Sequence, residues 1–234
     1  MHIMEGFLPA TWAIVWWLVA LPCLLLGLYR LRRLLSVDRE ALALLGVTGA
    51  FVFILSSLKL PSVTGSCSHP TGTGLSAICV GPWVTSVIAA VVLLFQALFL
   101  AHGGLSTMGA NLVSMGIAGP FVGYLVYRAL RETPVSIFLT VFLASALADL
   151  VTYVVTSLEL ALAYPAEVGG FFGSFTLFLG VFALTQVPLA IVEGVVLALV
   201  FKYIVQLKPE ILVRLGVFSE ERIVATQRGL ADAA

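Results

Sequence analysis

The sequence predicts an all-α, polytopic membrane protein with seven transmembrane helices, its N-terminus outside and its C-terminus cytoplasmic. Of 234 residues, 61% are hydrophobic and only 10% are charged, whereas a soluble domain carries about 25% charged residues. The mean hydropathy is +1.12. The apolar residues fall into runs close to the ~20 residues that one helix needs to cross a bilayer, and the polar connections between them are short. Formal net charge is zero, so no global attraction to nucleic acid or to an anionic partner is built in.

The opening Met1–Pro9 lacks the basic n-region of a signal peptide, and Met1 and His2 are expected to persist in the mature chain. The first apolar run, Thr11 to Tyr29, ends on Arg30, Arg32 and Arg33, a basic stop suited to the cytoplasmic face. A second run covers Ala41 to Leu58. Residues Lys59 to Gly74 form a loop rich in Gly, Ser, Thr and Pro with no hydrophobic period. A third span ends near Ala101, with Gly81 and Pro82 marking a kink or a short leading helix before Trp83. The fourth covers Leu105 to Tyr127 and the fifth Val135 to Leu158. The stretch Gly169 to Val205 exceeds one ordinary span, and Thr185, Gln186 and Pro188 interrupt it, so it is expected to form two helices.

The positive-inside rule favours that choice. Nine basic residues (Arg30, Arg32, Arg33, Arg39, Lys202, Lys208, Arg214, Arg222 and Arg228) then lie inside, and three (Lys59, Arg128 and Arg131) lie outside. Arg128 and Arg131 stand as an exception with no sequence-level reason. Residues 1–208 are expected to form a single membrane domain, with the N-terminus and loop 59–74 on the outer side, and residues 209–234 a cytoplasmic tail. Gly46 with Ala50, and Ala144 with Ala148, have the spacing of close helix contacts, expected within the protein. Of the three cysteines, Cys23, Cys67 and Cys79, only the last two have a chance of meeting.

The three histidines are His2, His69 and His102. In a chain that begins Met-His, the terminal amine, the first amide nitrogen and the imidazole Nδ1 close two chelate rings around one ion. Ionising the amide favours metals that gain from a strong square-planar field, and nitrogen-rich tetragonal sites suit Ni(II) or Cu(II). His69, in a loop on the same predicted side, supplies a fourth nitrogen. The plainer alternative is an exposed His2 and a His69 bonded to backbone. Cys67 offers a competing soft-metal site for Zn or Cu(I), ranked lower because thiolate sites usually recruit more than one Cys. His102 is placed at the inner end of span three, as an interfacial or capping residue or an exit-side contact. Asp149 and Glu193 lie within spans, where charge is costly, so they are expected to line a route, meet a partner or hydrogen-bond inside the bundle. Glu5 is expected to position the N-terminal strand. No Walker A sequence, Gly-rich nucleotide loop or hydrolase motif is present, so the chain is expected to be neither an enzyme nor a nucleotide binder.

The opening Met1-His2-Ile3-Met4-Glu5-Gly6-Phe7-Leu8-Pro9, the loop Lys59 to Gly74 containing Gly65-Ser66-Cys67-Ser68-His69-Pro70-Thr71-Gly72, and the run His102 to Asn111 resemble the CbiM family. Its members are substrate-binding S components of energy-coupling factor transporters for cobalt and nickel. The resemblance extends to about Val205. It implies a six-helix S-component core plus an additional N-terminal helix, in the multi-pass setting of the cell membrane. It also implies that Co(II), with Ni(II) as second candidate, is the transported substrate, held by Met1, His2 and His69, with uptake feeding cobalamin biosynthesis. The implied partners are a transmembrane coupling (T) component, a small membrane accessory protein and a pair of cytoplasmic ATPases. The rival expectation is a stand-alone, ion-coupled secondary metal transporter or channel.

Overall fold

The computed structural model describes residues 1–39, 41–62 and 65–232; Val63 and Thr64 of the loop motif, like Glu40 and residues 233–234, lie outside them. Among the described residues, five helices are long and apolar enough to cross a membrane. They are α1 (Ala10–Val37), α4 (Pro82–Leu100), α5 (Met108–Leu130), α6 (Ile137–Ala163) and α7 (Gly170–Leu207), with a shorter apolar helix α2 (Ala41–Ser57) and a short helix α3 (Thr73–Val80). Two further helices, α8 (Pro209–Arg214) and α9 (Glu220–Asp232), follow α7. Strands β1 (His2–Ile3), β2 (Leu60–Pro61) and β3 (Ser66–Ser68) form a small antiparallel sheet in the order β1-β3-β2.

The bundle differs from the sequence expectation in two linked ways. Gly169 to Val205 is not two helices: α7 runs unbroken through Pro188. Proline removes one backbone hydrogen bond, but a helix broken within a bilayer would leave several groups unpaired, and proline is therefore tolerated in such helices. At about 1.5 Å per residue the helix is roughly 57 Å long, nearly twice the ~30 Å hydrocarbon thickness, so it tilts or projects beyond it.

The second difference is α3. The chain from Ser66 to Ile78 is continuously buried, and the segment ends at Gly81, whose φ of 82° lets α3 stop and α4 restart on Pro82 at its first turn. Val80 and Gly81 share a cleft of about 430 Å³ with Asp38, Arg128, Arg131 and Arg214. The loop and α3 thus traverse the protein, and α4 runs back towards the N-terminal strand.

That extra traverse corrects the placement of Arg128 and Arg131. Both lie at the end where Arg214 pairs with Asp38 at 2.7 Å, and Arg222 donates to the carbonyls of Leu130, Arg131 and Val135. Lys59 is at the opposite end, 3.5 Å from the Leu100 carbonyl. The exception to the charge rule therefore disappears.

Glycine contacts set the helix spacing. A Cβ on Gly123 would sit 2.8 Å from the Ala144 carbonyl oxygen and 2.9 Å from the Ala148 Cβ, so the Ala144/Ala148 pair does bring α5 onto α6. Gly46 and Ala50 behave otherwise: Gly46 has open space beside it, and both line an apolar groove with Leu31, Phe53 and Val87. Cys23, Cys67 and Cys79 are all free.

Candidate metal site

The N-terminal strand is fixed from two sides. On one, β1 pairs with β3, placing His2 opposite Cys67 and Ile3 opposite Ser66, and Met4 N–H donates to the Gly65 carbonyl at 2.9 Å. On the other, Asn111 of α5 accepts from Ile3 N–H at 2.7 Å and donates to the Ile3 carbonyl at 3.0 Å. The Thr107 hydroxyl donates to the same carbonyl at 2.8 Å. Glu5 accepts from the Ser106 N–H, which agrees with its expected positioning role. The result is that Met1 and His2 are fully buried, so the picture of an exposed terminal residue does not apply.

The His69 loop is fixed from below. Glu193 of α7 accepts from the N–H and hydroxyl of Thr71 and from the N–H of Gly72, a charge-assisted clamp at the start of α3. The Ser68 hydroxyl meets that of Thr185, 2.8 Å away. Of the expectations for Glu193, hydrogen bonding inside the bundle is the one met, and its partners lie in the loop that carries His69. Asp149 has both carboxylate oxygens buried without a hydrogen-bond partner among the described residues, as does Glu159, which the sequence reading passed over.

Four side chains converge: His2, Cys67, His69 and His102 each offer a ligand atom, all within 4.8 Å of one another. His2 Nδ1 lies 3.1 Å from His102 Nε2, and His102 Nε2 lies 3.0 Å from Cys67 Sγ. His2 Nε2 is 3.2 Å from the thioether sulfur of Met115. His69 Nδ1 sits 2.8 Å from the Pro70 carbonyl, which requires the proton on Nδ1 and leaves Nε2 as a lone-pair donor, the usual tautomer of a metal-ligating histidine. That Nε2 is buried without a partner, and so is His102 Nδ1.

Electrostatics favour neutral donors. Burial holds the imidazoles of His2 and His69 well below their ordinary pKa, and lowers that of His102 to about 4. Burial likewise lowers the Met1 amine and raises the Cys67 thiol. Three unprotonated, buried imidazoles beside a buried chain terminus suit a divalent cation. His102 and Cys67 are the members that sequence reasoning missed or ranked low. His102 was assigned to the far end because α3 was not recognised as a traverse, so the direction of α4 was reversed.

The chain matches the model of the cobalt uptake substrate-specific transmembrane region, CbiM, over residues 2–211. It is 70% identical over 223 residues to the putative cobalt transport protein CbiM 2 of Methanosphaerula palustris, covering 95% of each chain. It is 56% identical over 210 residues to the cobalt transport protein CbiM of Nostoc sp., covering 90% of this chain and 80% of that one. Its fold matches a crystal structure described as a truncated transition metal transporter, with a TM-score of 0.76, 26% identity and coverage of 87% of this chain and 98% of the other. With a family match spanning almost the whole membrane region and a buried cluster of nitrogen and sulfur donors, this multi-pass membrane protein belongs to the CbiM family of cobalt uptake proteins.

Proposed function

We propose that the chain is the S component of an energy-coupling factor importer, capturing Co(II) at the outer face through the Met1 amine, the His2 amide and imidazole nitrogens, and His69. The observation that carries this reading is the burial of Met1 and His2 beside the unpartnered His69 Nε2, on a strand clamped by β3 and Asn111. A flexible terminus pays the full ordering cost on chelation; a clamped one is pre-organised. Ni(II) is a second substrate on the same donors, and cobalamin synthesis is the destination of the cobalt.

In this reading the N-terminus and loop 59–74 face outward and the 209–234 tail is cytoplasmic. The gathering of Arg128, Arg131, Arg214 and Arg222 at one end, away from Lys59, supports that orientation. Seven crossings follow if the buried loop and α3 count as one and α7 as one. A T component, a small accessory membrane protein and two ATPases supply the energy. Asp149 and Glu159 are the features that an ion-coupled secondary transporter would use. Reconstituted vesicles decide between the two: cobalt uptake should require the partner proteins and ATP. Uptake by the chain alone, driven by an ion gradient and abolished in Asp149→Asn, would establish the rival.

A further inference from the structure

We propose that the arginine-bearing end of the bundle holds one anionic phospholipid, its phosphate between Arg30 and Arg128 and its two hydrocarbon tails in the grooves on either side of α1. This end is opposite the donor cluster, and the site stands whichever ion the cluster takes. Its consequence is structural: the lipid ties to the bundle the free end of the helix whose other end carries the N-terminal strand.

The site begins where α1 leaves its neighbours. Gly27 packs so closely on α4 that a Cβ there would lie 2.7 Å from the Ser86 hydroxyl oxygen, and it is the last buried residue of α1. Beyond it the helix runs on to Val37 and leaves a groove on each flank. One groove, of about 510 Å³, is lined by Leu34, Trp83, Val84, Phe121 and Leu125 together with Arg30. The other, of about 570 Å³, is lined by apolar residues and glycine, among them Leu31, Leu35, Leu45 and Phe95. Both meet the cleft of Arg128 and Arg131: the first shares Leu34, Gly81 and Tyr124 with it, the second Leu45. A charged cleft opening into two apolar grooves has the outline of one headgroup with two tails.

The charges in the cleft are not balanced. Arg214 pairs with Asp38 and Arg131 with Glu132, whereas Arg30 and Arg128 have no hydrogen bond or ion pair to another described residue. A guanidinium presents a planar fork of donors that matches phosphate oxygens, and basic pockets between spanning helices take up anionic headgroups in this way. The depth is also right. Trp83 packs edge-on against Phe121, ring centroids 4.7 Å apart, with Tyr124 lining the same groove, and tryptophan and tyrosine collect at headgroup level. A free phosphate would use the arginines and leave both grooves empty, and a single helix of a partner protein would fill one flank of α1 and not the other. Hydrocarbon already surrounds the bundle, so filling the grooves gives little preference between lipids. The arginines therefore set the choice, for an anionic headgroup over a zwitterionic one.

Native mass spectrometry and thermal unfolding of the purified full chain test this, after delipidation and addition of dioleoylphosphatidylglycerol or dioleoylphosphatidylcholine in the same detergent. The wild-type chain should retain one phosphatidylglycerol, with a Tm raised by several degrees, and bind phosphatidylcholine about tenfold or more weakly. The double variant Arg30→Gln/Arg128→Gln, changed at two exposed positions, should lose about tenfold or more in phosphatidylglycerol affinity together with the Tm rise. Arg32→Gln, on the far face of α1 from Arg30, should keep both. Equal binding of the two lipids by the wild-type chain overturns the proposal and needs no variant to fold. Undiminished phosphatidylglycerol binding by the double variant, or an equal loss in Arg32→Gln, overturns it as well. Glycerol phosphate giving the same Tm rise would show an anion site without tails. A photo-crosslinker replacing Leu125 that captures protein and no lipid in native membranes would show a protein interface, and either result would sink the lipid assignment.

Discussion

His2 contributes both backbone and side chain to the proposed chelate, so its role depends on its position in the chain as much as on its imidazole. Inserting one residue between Met1 and His2, or blocking the amine with a tag or formyl group, should raise the cobalt Kd at least tenfold, an easily read ~1.4 kcal/mol by calorimetry. His2→Ala and His69→Ala should abolish tight binding. The imidazoles also give the protein a pH signature. Because burial depresses the folded pKa of His2, His69 and His102 below 6.5, the unfolded chain takes up protons first as pH falls. Stability is therefore fully present above pH 6.5 and is lost as pH drops towards the folded values, about 4 for His102. The Tm of the detergent-solubilised, metal-free protein should fall over that window, and fall less in His102→Gln; equal slopes would contradict it. His2 was legible in the sequence because chelate arithmetic depends only on position, and His69 because its loop lies on the same predicted side as Met1. His102 and Met115 were not, because their meeting with His2 depends on the direction of α4 and on the packing of α5, which no local pattern records.

Among the elements, the apolar runs read from the sequence formed helices α1, α2, α5 and α6, of which α1, α5 and α6 are long enough to cross a membrane, and the Gly81-Pro82 break before α4 followed from backbone chemistry alone. The errors fell where helices depart from bilayer length. An eight-residue α3 is too short for a hydropathy window, and its crossing is completed by backbone buried in protein, the condition under which irregular chain is tolerated at that depth. The 38-residue α7 is too long for one, and Pro188 suggested a break that its neighbours do not permit. Missing one traverse and splitting another cancel in parity, so the N-terminal strand and the tail lie at opposite ends of the bundle while His102, Arg128 and Arg131 change ends. Glu193 links α7 to the His69 loop by accepting three hydrogen bonds from Thr71 and Gly72. Glu193→Gln turns an amide N–H2 towards N–H donors, and losing charge-assisted bonds in a buried site costs about 1.5–3 kcal/mol. Cobalt affinity should fall roughly tenfold or more, although Glu193 is not a ligand; an unchanged Kd would show that the loop is held by β3 and Ser68 alone.

Across the whole molecule the two ends are built for different tasks. One end carries the clamped N-terminal strand and the donor cluster; the other carries the arginines and the α8–α9 tail. The family match stops at residue 211, yet the tail is not loosely attached. The Tyr127 hydroxyl donates to the Val217 carbonyl, Arg222 donates to three carbonyls at and beyond the end of α5, and Leu212, Val217, Phe218 and Ile223 join a buried cluster with Phe201 and Val205. Fully burying an apolar side chain of this size contributes about 1.5–3 kcal/mol, so four such residues and Arg222's bonds make the tail a structural cap on α5, α6 and α7. Deleting residues 209–234 should therefore lower the Tm of the solubilised protein by several degrees. Cobalt affinity at the far end should stay within about threefold of wild type, because no ligand or clamp of the site lies in the tail. A milder variant, Arg222→Ala, should reproduce part of the thermal loss through its lost carbonyl bonds and its lost contact with the Phe218 ring. If the deletion instead abolishes cobalt binding while the remaining chain keeps its helical content, the two ends are coupled through α7, where Glu193 stands between the tail and the His69 loop, and the cap would be part of the machinery that opens the site.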